Sequence, residues 1–336
     1  MHRINCFRSV KIALNTITTE PRCSLCAARK IKPSSRFLEF TQRRKFYKYE
    51  CSHCGLLYAD SKAASRGATY FDGHEIRCSQ ADEVGFDIFT LKMIAIRDGL
   101  AIVPVDAAQE RALACPHSDV PGHAYTTPLG EFPLASFTLG IMCRESELDR
   151  AVSSACDVLH EFAECLIVID QEESWHQTFE LPRGIRALGR PLAQNFAAQR
   201  NFIQQNSRSP WVMQLDADET ISSLDVRKLR QLATSMQGHG IVSIGIPREN
   251  YVEGIRSDLY PDTQYRLNRS HVVFDGAVHE RPLRPWQVST IAIGCNITHH
   301  LDSAHVATRS YQYDKISPGL GRVSEREELA EPFVAS

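Results

Sequence analysis

From Phe137 onward the sequence alternates short apolar runs with amphipathic stretches, and no other feature limits the fold as tightly. Residues 137–142 read as a strand. From about Ser146 the apolar positions Leu148, Val152, Ala155, Leu159 and Phe162 step by three or four, the period of a helix, and Ser146 with Asp149 resembles a capping box. A second buried strand, 165–169, ends in Asp170. A helix over 192–205 then leads to a third strand, 211–215. Asp216-Ala217-Asp218-Glu219 follows, then a helix with Val226, Leu229, Leu232, Ala233 and Met236 on one side, and a strand at 241–246. This order predicts a mostly parallel sheet with helices on both faces. In such a sheet ligands bind beyond the carboxyl ends of the strands, where Asp170 and the acidic cluster would sit.

A chain of 336 residues, 43% hydrophobic and 23% charged, can bury a full core and divide into two units. Its formal charge of −2 supplies no global field for nucleic acid or anionic lipid, so any polyanion would need a local patch. No apolar run approaches the roughly 18 residues of a membrane span, which predicts a chain with no transmembrane helix. The first residues hold Arg3, Arg8 and Lys11 with no acid before Glu20. They faintly resemble a transit peptide, but the apolar stretch is too broken for a secretory signal. The 11 cysteines are odd in number and irregularly placed, which fits a reducing cytoplasm better than a disulfide framework. Between the cysteine-rich start and Phe137, residues 87–105 predict one helix and one strand, and Pro116, Pro121, Pro128 and Pro133 mark loop. Beyond residue 302, Tyr311, Tyr313 and Pro318 suggest a helix and a loose tail.

Asp216 and Asp218, one residue apart at a strand end, can aim two carboxylates at a hard cation such as Mg²⁺ or Mn²⁺, leaving sites open for a diphosphate. They could equally begin the next helix, where carboxylates cap backbone N–H groups. The surroundings resemble the inverting family-2 glycosyltransferases, especially the lipopolysaccharide-core glucosyltransferase group. The likeness covers 137–300 and rests on 195–201 (NFAAQRN), 211–219 (WVMQLDADE), 246–251 (IPRENY), 260–267 (YPDTQYRL) and 278–280 (VHE). It implies a nucleotide-diphosphosugar transferase fold of the GT-A kind. Asp216 and Asp218 would hold metal and diphosphate, Asp170 would contact the nucleoside, and a carboxylate would serve as general base, Glu280 first and Asp262 second. His279, His299 and His300 are candidates to complete the metal shell, although such histidines are more often hydrogen-bonded core or surface residues. Arg200, Arg248 and Arg266 have the planar fork that suits phosphate, and salt bridges would explain them equally well. The chain departs from the family where Gln171-Glu172-Glu173 follows Asp170 and where Glu145 replaces the usual asparagine. Both changes concern the nucleotide pocket and leave the donor open. The implied partners are a nucleotide sugar and a glycan or glycolipid acceptor, with peripheral association at the inner face of the membrane.

Cys23-x-x-Cys26 and Cys51-x-x-Cys54, with residues 27–50 between them, form two knuckles able to grip one structural Zn²⁺ through four thiolates, and Gly55 follows the second. Residues 51–60 resemble the zinc ribbon that precedes certain S-adenosylmethionine-dependent methyltransferases, whose catalytic domain is not recognisable here. The expected organisation is therefore a zinc-ribbon module over 1–60, a connector over 61–134, the transferase domain over 135–302 and a tail over 303–336. Arg29, Lys30, Lys32, Arg36, Arg43, Arg44, Lys45 and Lys48, interleaved with Phe46, Tyr47 and Tyr49, could neutralise phosphates and stack bases. A solvated hairpin whose aromatics cover the small core is the favoured alternative, so nucleic acid is not expected as a partner. The other cysteines, Cys6, Cys78, Cys115, Cys143, Cys156, Cys165 and Cys295, show no ligand spacing and suggest small buried hydrophobes.

Overall fold

The computed structural model describes residues 21–176, 180–319 and 323–334; the expectations for Arg3, Cys6, Arg8 and Lys11 lie outside them. The second half is organised by a seven-stranded sheet. Its strands are β1 (Phe137–Cys143), β2 (Glu164–Ile169), β3 (Ile185–Gly189), β4 (Trp211–Asp216), β6 (Ser243–Ile246), β9 (Gln264–Arg269) and β10 (Ser289–Ile291), in the spatial order β3-β2-β1-β4-β9-β6-β10. All neighbours run parallel except β9, which is antiparallel to both β4 and β6. Every strand expected in this sheet is present; β3, β9 and β10, of which only β9 runs antiparallel, are the ones the periodicity did not reveal.

Helices α1 (Leu148–Val158) and α3 (Ser223–Ser235) cover one face. They bury Leu148, Ala151, Ala155, Val226, Leu229 and Leu232 against Leu139, Ile141, Met213 and Leu215. Helix α2 (Phe196–Asn206) covers the other, with Ile203 against Leu166, Val168 and Val212. A Cβ at Gly140 would stand 2.3 Å from Ile203, so only glycine lets α2 approach β1 this closely. The α2 start is later than the apolar period suggested. Ala193 and Gln194 have φ of 48° and 56°, which breaks the helix before Asn195, whose side chain then caps Ala198 N at 2.9 Å. At α1 the start also differs: Ser146 lies in a 3₁₀ turn, Glu145–Glu147, that precedes the helix, and Glu147 reaches back to Arg144 N at 2.9 Å.

A smaller four-stranded sheet stands at the carboxyl end of the large one. It comprises β5 (Glu219–Ile221), β7 (Arg248–Val252), β8 (Ile255–Arg256) and β11 (Ile297–Leu301), ordered β5-β11-β7-β8. Its register sets Glu219 and Asn250 on either side of His299.

The N-terminal part has its own core. A four-stranded antiparallel sheet (Ile31–Pro33, Tyr49–Cys51, Leu57–Tyr58, Val84–Gly85) and the cysteine cluster pack with the helix Ile88–Arg97, the strand Leu100–Val103 and the helix Ala107–Leu113. The segment read as a connector thus shares one hydrophobic cluster with Cys23, Cys26, Cys51 and Cys54, and Ile291 and Ile293 of the second half join it. Residues 87–105 supply the expected helix and strand, whereas Pro128 closes a strand, Tyr125–Pro128, rather than a loop. Beyond residue 302, a helix runs Ser303–Ile316 and another Val323–Ala330. No helix among the described residues is long and apolar enough to cross a membrane.

Candidate active site and cysteine cluster

A cavity of about 220 Å³ opens where the two sheets meet, at the carboxyl ends of β1, β2 and β4. Asp170, Asp216, Asp218, Arg248, Asp262, Arg266, His279, Glu280 and His299 all line it, so residues scattered over more than a hundred positions converge on one cleft. Arg200 lies beneath the wall, 1% exposed.

The three arginines are engaged with carboxylates of the cleft, the salt-bridge reading that their planar fork also allowed. Arg200 binds Glu280 through Nε at 2.5 Å and Asp216 Oδ1 through Nη2 at 2.9 Å. Arg266 Nη2 reaches Asp216 Oδ2 at 2.5 Å and Glu219 at 3.0 Å. Arg248 contacts Glu219 at 2.7 Å and Asp262 Oδ2 at 2.5 Å. The result is an alternating chain, Glu280–Arg200–Asp216–Arg266–Glu219–Arg248–Asp262, in which each buried charge meets an opposite one. Such pairing is what makes burial of this many ions tolerable. Glu219, 1% exposed, also accepts from Asp216 N at 3.0 Å; the sequence gave no reason to single it out from the acidic run.

The carboxylates are thereby differentiated. Burial alone would raise Asp262, but Arg248 and Asn250 hold it below the usual range, and Gln264 Nε2 donates to Oδ1 at 2.6 Å. Held low by Arg248, it is a weaker proton acceptor than an unpaired carboxylate, which counts against its place as second candidate base. Both ion-pair contacts of Glu280 fall on Oε1, at 2.5 Å from Arg200 and 3.8 Å from Arg266. Asp216 is pushed up by burial; Arg200 opposes this, while Glu219, Asp218 and Glu280 add to it.

Asp218 Oδ2 stands 3.4 Å from His299 Nε2. Asn250 donates to Asp262 at 3.2 Å, which turns its Oδ1 toward His299 Nδ1 at 2.8 Å. The ring therefore carries its hydrogen on Nδ1. Burial and nearby Arg248 hold the imidazole below its ordinary pKa, so the neutral ring aims the Nε2 lone pair at a carboxylate oxygen. His279 has φ of 54°, a conformation uncommon outside glycine, and its ring meets Tyr313 edge-on at 5.1 Å. Tyr313 and Gln312 belong to the helix Ser303–Ile316 and line the cleft, so the supposed tail forms part of its wall. His300 instead stacks on Tyr251 and is not among the lining residues.

Asp170 Oδ1 accepts from Leu192 N at 2.8 Å. The two departures from the family meet each other: Glu145 accepts from Gln171 Nε2 at 2.8 Å and from Trp175 Nε1 at 3.0 Å. This turn sits on Gly189, where a Cβ would come within 2.3 Å of the Glu172 carbonyl.

Outside the cleft, Cys23, Cys26, Cys51 and Cys54 bring four buried sulfurs within 4.8 Å of one another, with 3.5 Å between Cys23 and Cys54 and 3.6 Å between Cys26 and Cys51. Tetrahedral zinc with bonds of about 2.3 Å sets sulfurs about 3.8 Å apart, so the donor set fits that ion. It is the one group among the described residues that gathers three or more metal-ligating atoms in this way. Each knuckle closes alike, Ala27 N on Cys23 O at 2.8 Å and Gly55 N on Cys51 O at 2.9 Å, with φ of 58° and 81°. Tyr58 Oη donates to Cys23 Sγ at 3.0 Å, a thiolate-supporting contact. The neighbouring basic residues are largely committed within the chain: Arg36 to Asp87, Lys32 to Glu50, Arg44 to Glu39, Arg29 to Asp258, and Lys45 to the carbonyls of Ala81 and Asp82. Tyr47 is buried. These contacts favour the hairpin reading over a nucleic-acid surface.

Residues 141–279 match the family described as glycosyl transferase family 2. The SPbeta prophage-derived glycosyltransferase SunS of Bacillus subtilis (strain 168) and the glycosyltransferase SunS of Bacillus phage SPbeta are each 33% identical over 91 residues, 26% of this chain and 21% of the relative. The match thus spans about a fifth of those relatives' length. Among solved structures, S. aureus TarS 1-349 is 12% identical with a TM-score of 0.32, covering 52% of this chain and 64% of that one. The same fragment in complex with UDP is 13% identical with a TM-score of 0.34, covering 52% and 63%. Asp170, Asp216, Asp218, Asp262 and His279 of the cleft accordingly lie within the stretch that matches glycosyl transferase family 2.

Proposed function

We propose that this chain transfers a sugar from a nucleotide-diphosphate donor to a hydroxyl of a glycan or glycolipid, with inversion. The observation that carries the reading is the convergence of Asp170, Asp216, Asp218, Glu280 and His299 on one cleft at the carboxyl edge of the sheet, within and beside the family-matched segment. Asp218 and His299 are the pair suited to a divalent cation: a carboxylate oxygen and a neutral nitrogen lone pair face each other at 3.4 Å, and Asn250 fixes the ring. Mg²⁺ or Mn²⁺ takes few protein ligands and completes its shell with phosphate and water, and when bound it supplies Lewis acidity at the leaving diphosphate. Asp216 supports this site from behind, anchored by Arg200 and Arg266. Asp170, fixed by Leu192 N, faces the nucleoside side of the cleft.

Glu280 is the general base. It lines the cleft, Arg200 fixes one of its oxygens, and the other can take the proton of the acceptor hydroxyl as that hydroxyl attacks the anomeric carbon opposite the leaving group. Val273 and Leu283 are 52% and 60% exposed, and Leu283 N bonds Val273 O at 2.7 Å. This apolar rim beside Arg281 suits a lipid-linked acceptor at the inner face of a membrane, in keeping with the lipopolysaccharide-core likeness.

The test is thermal-shift and turnover measurement with UDP-, GDP-, CMP- and dTDP-sugars, with and without Mn²⁺, for the wild type and Asp218→Ala. One donor should stabilise and be consumed by the wild type only with metal, and the variant should do neither. Equal responses from the two proteins would remove the metal-dependent transferase reading.

A further inference from the structure

The cysteine cluster lies outside the cleft, yet the residues beside its four sulfurs reach one segment of the transferase domain, 258–263, at both ends. Arg22, immediately before Cys23, and Arg29, just beyond Cys26, both pair with Asp258, the latter at 2.8 Å. Arg22 is 4% exposed, and its guanidinium also lies 4.2 Å over the Phe333 ring and donates to Val334 O at 2.9 Å. His53, between Cys51 and Cys54, meets Thr263 Oγ1 through Nε2 at 3.1 Å.

The gripped segment ends beside the ion-pair chain. Asp262 precedes Thr263, takes Arg248 on Oδ2, and receives Arg248 N on its backbone carbonyl at 3.1 Å. Thr263 has little freedom of its own, since a Cβ on Gly245 would lie 2.8 Å from its methyl group. A shift of the 258–263 backbone would therefore be felt at Arg248, and through Glu219 at Arg266 and Asp216.

We propose that the cysteine module braces the cleft: with zinc holding the two knuckles together, Arg22, Arg29 and His53 clamp 258–263 and fix Asp262 against Arg248. This rests on the reading of the cleft as a transferase site. His53 and Thr263 are positioning residues that touch neither donor nor acceptor. The two knuckles clamp opposite ends of the segment, so the metal that joins them links the clamps, and loss of metal would release both. Holding the buried Arg22 and the partly exposed Arg29 on one buried aspartate depends on the knuckle backbone that places them there.

Hydrogen–deuterium exchange of the full chain tests the brace without reference to catalysis. Wild type, His53→Ala, His53→Gln, Thr263→Val and the double variant His53→Ala/Thr263→Val are compared, with zinc content measured for each. Removing the one contact should speed exchange across 258–263 about tenfold, the worth of a single partly buried hydrogen bond. The double variant should be no faster than either single one, because both remove the same interaction. His53→Gln, whose amide nitrogen can occupy the Nε2 position, should restore protection, and zinc should stay at one per chain throughout. Stripping the metal from wild type with a chelator should expose the same segment. Unchanged exchange in Thr263→Val, or additive effects in the double variant, would overturn the brace. In turnover assays kcat should fall several-fold with the donor KM unchanged, a split that general unfolding would not produce. If wild type consumes no nucleotide sugar the transferase reading fails, while the exchange data still decide the brace.

Discussion

The cysteine cluster draws all four thiols from two tight knuckles whose geometry is set within a few residues, whereas the cleft draws its ion-pair chain and His299 from five strands, a helix and the loops between them. The knuckles need only a local turn: Ala27 and Gly55 each return an N–H to the first cysteine of its pair. The cleft needs Arg200 from α2, Asp216 from β4, Glu219 from β5, Arg248 from β7 and Arg266 from β9 to arrive together, and all but Asp216 are buried. Local sites can be specified by spacing, and distributed ones only by a fold that places every counter-charge.

This contrast can be broken experimentally. Its largest consequence concerns metal: chelation, or Cys51→Ser, should unfold the N-terminal core, since binding of structural zinc supplies on the order of 10 kcal/mol of folding free energy. Circular dichroism with zinc quantification would show it, and retained structure without metal would contradict it. In the cleft, Glu280→Gln should lower turnover about 10²- to 10⁴-fold, the usual worth of a positioned base. Arg200 would remain buried with one counter-ion fewer, so an urea titration should accompany the kinetics. Arg248→Met should cost about 3–5 kcal/mol in the same titration, because Glu219 and Asp262 would be left buried without their shared cation.

Lys92 sharpens the comparison from the opposite side. It is 1% exposed in the N-terminal core, donates to Leu113 O at 2.9 Å and lies over Phe89, and burial lowers its pKa to about 7 despite the nearby Asp87. The unfolded chain keeps that proton up to about pH 10.4 while the folded one loses it near 7. Between these values the unfolded state binds more protons, so stability should rise with pH at about 1.4 kcal/mol per unit. Lys92→Met should abolish the slope and stabilise the protein below pH 7; an unaltered slope in chemical denaturation would count against this. The arginines of the cleft, each paired, should show no such behaviour. The smallest effect is expected at Ala27, whose left-handed backbone costs a residue with a Cβ about 1 kcal/mol. Ala27→Gly should recover part of it, less any loss to greater freedom in the unfolded chain, as a small rise in Tm at constant zinc content.

Reading the chain alone located most strands of the large sheet, because an apolar run of five or six residues ending in an acid is a local signal. It also gathered Asp170, Asp216, Asp218, Glu280 and His299 as candidates. It could not assign the arginines: the same planar fork serves phosphate or carboxylate, and only the 2.5–2.9 Å contacts of Arg200 and Arg248 decide between them. Glu219 was invisible because nothing in the run from Asp216 to Glu219 says which carboxylate turns inward. Tyr313 was legible only as part of a helix before a loose tail, with nothing local to show that it meets His279.

What the sequence determined by itself is therefore what short-range periodicity and spacing can encode: the alternating sheet, the paired knuckles with a glycine after the second, and an acidic cluster at a strand end. What only the tertiary structure decided is which charges neutralise one another. It made Asp262 an anchor and left Glu280 with an oxygen to spare; it set His299 against Asp218, and it joined 61–134 to the cysteine core. The reason is physical. Hydrogen-bonded turns and hydrophobic periods act over a few residues of chain, while the energy of a buried ion pair depends on distance in space and on what excludes water around it.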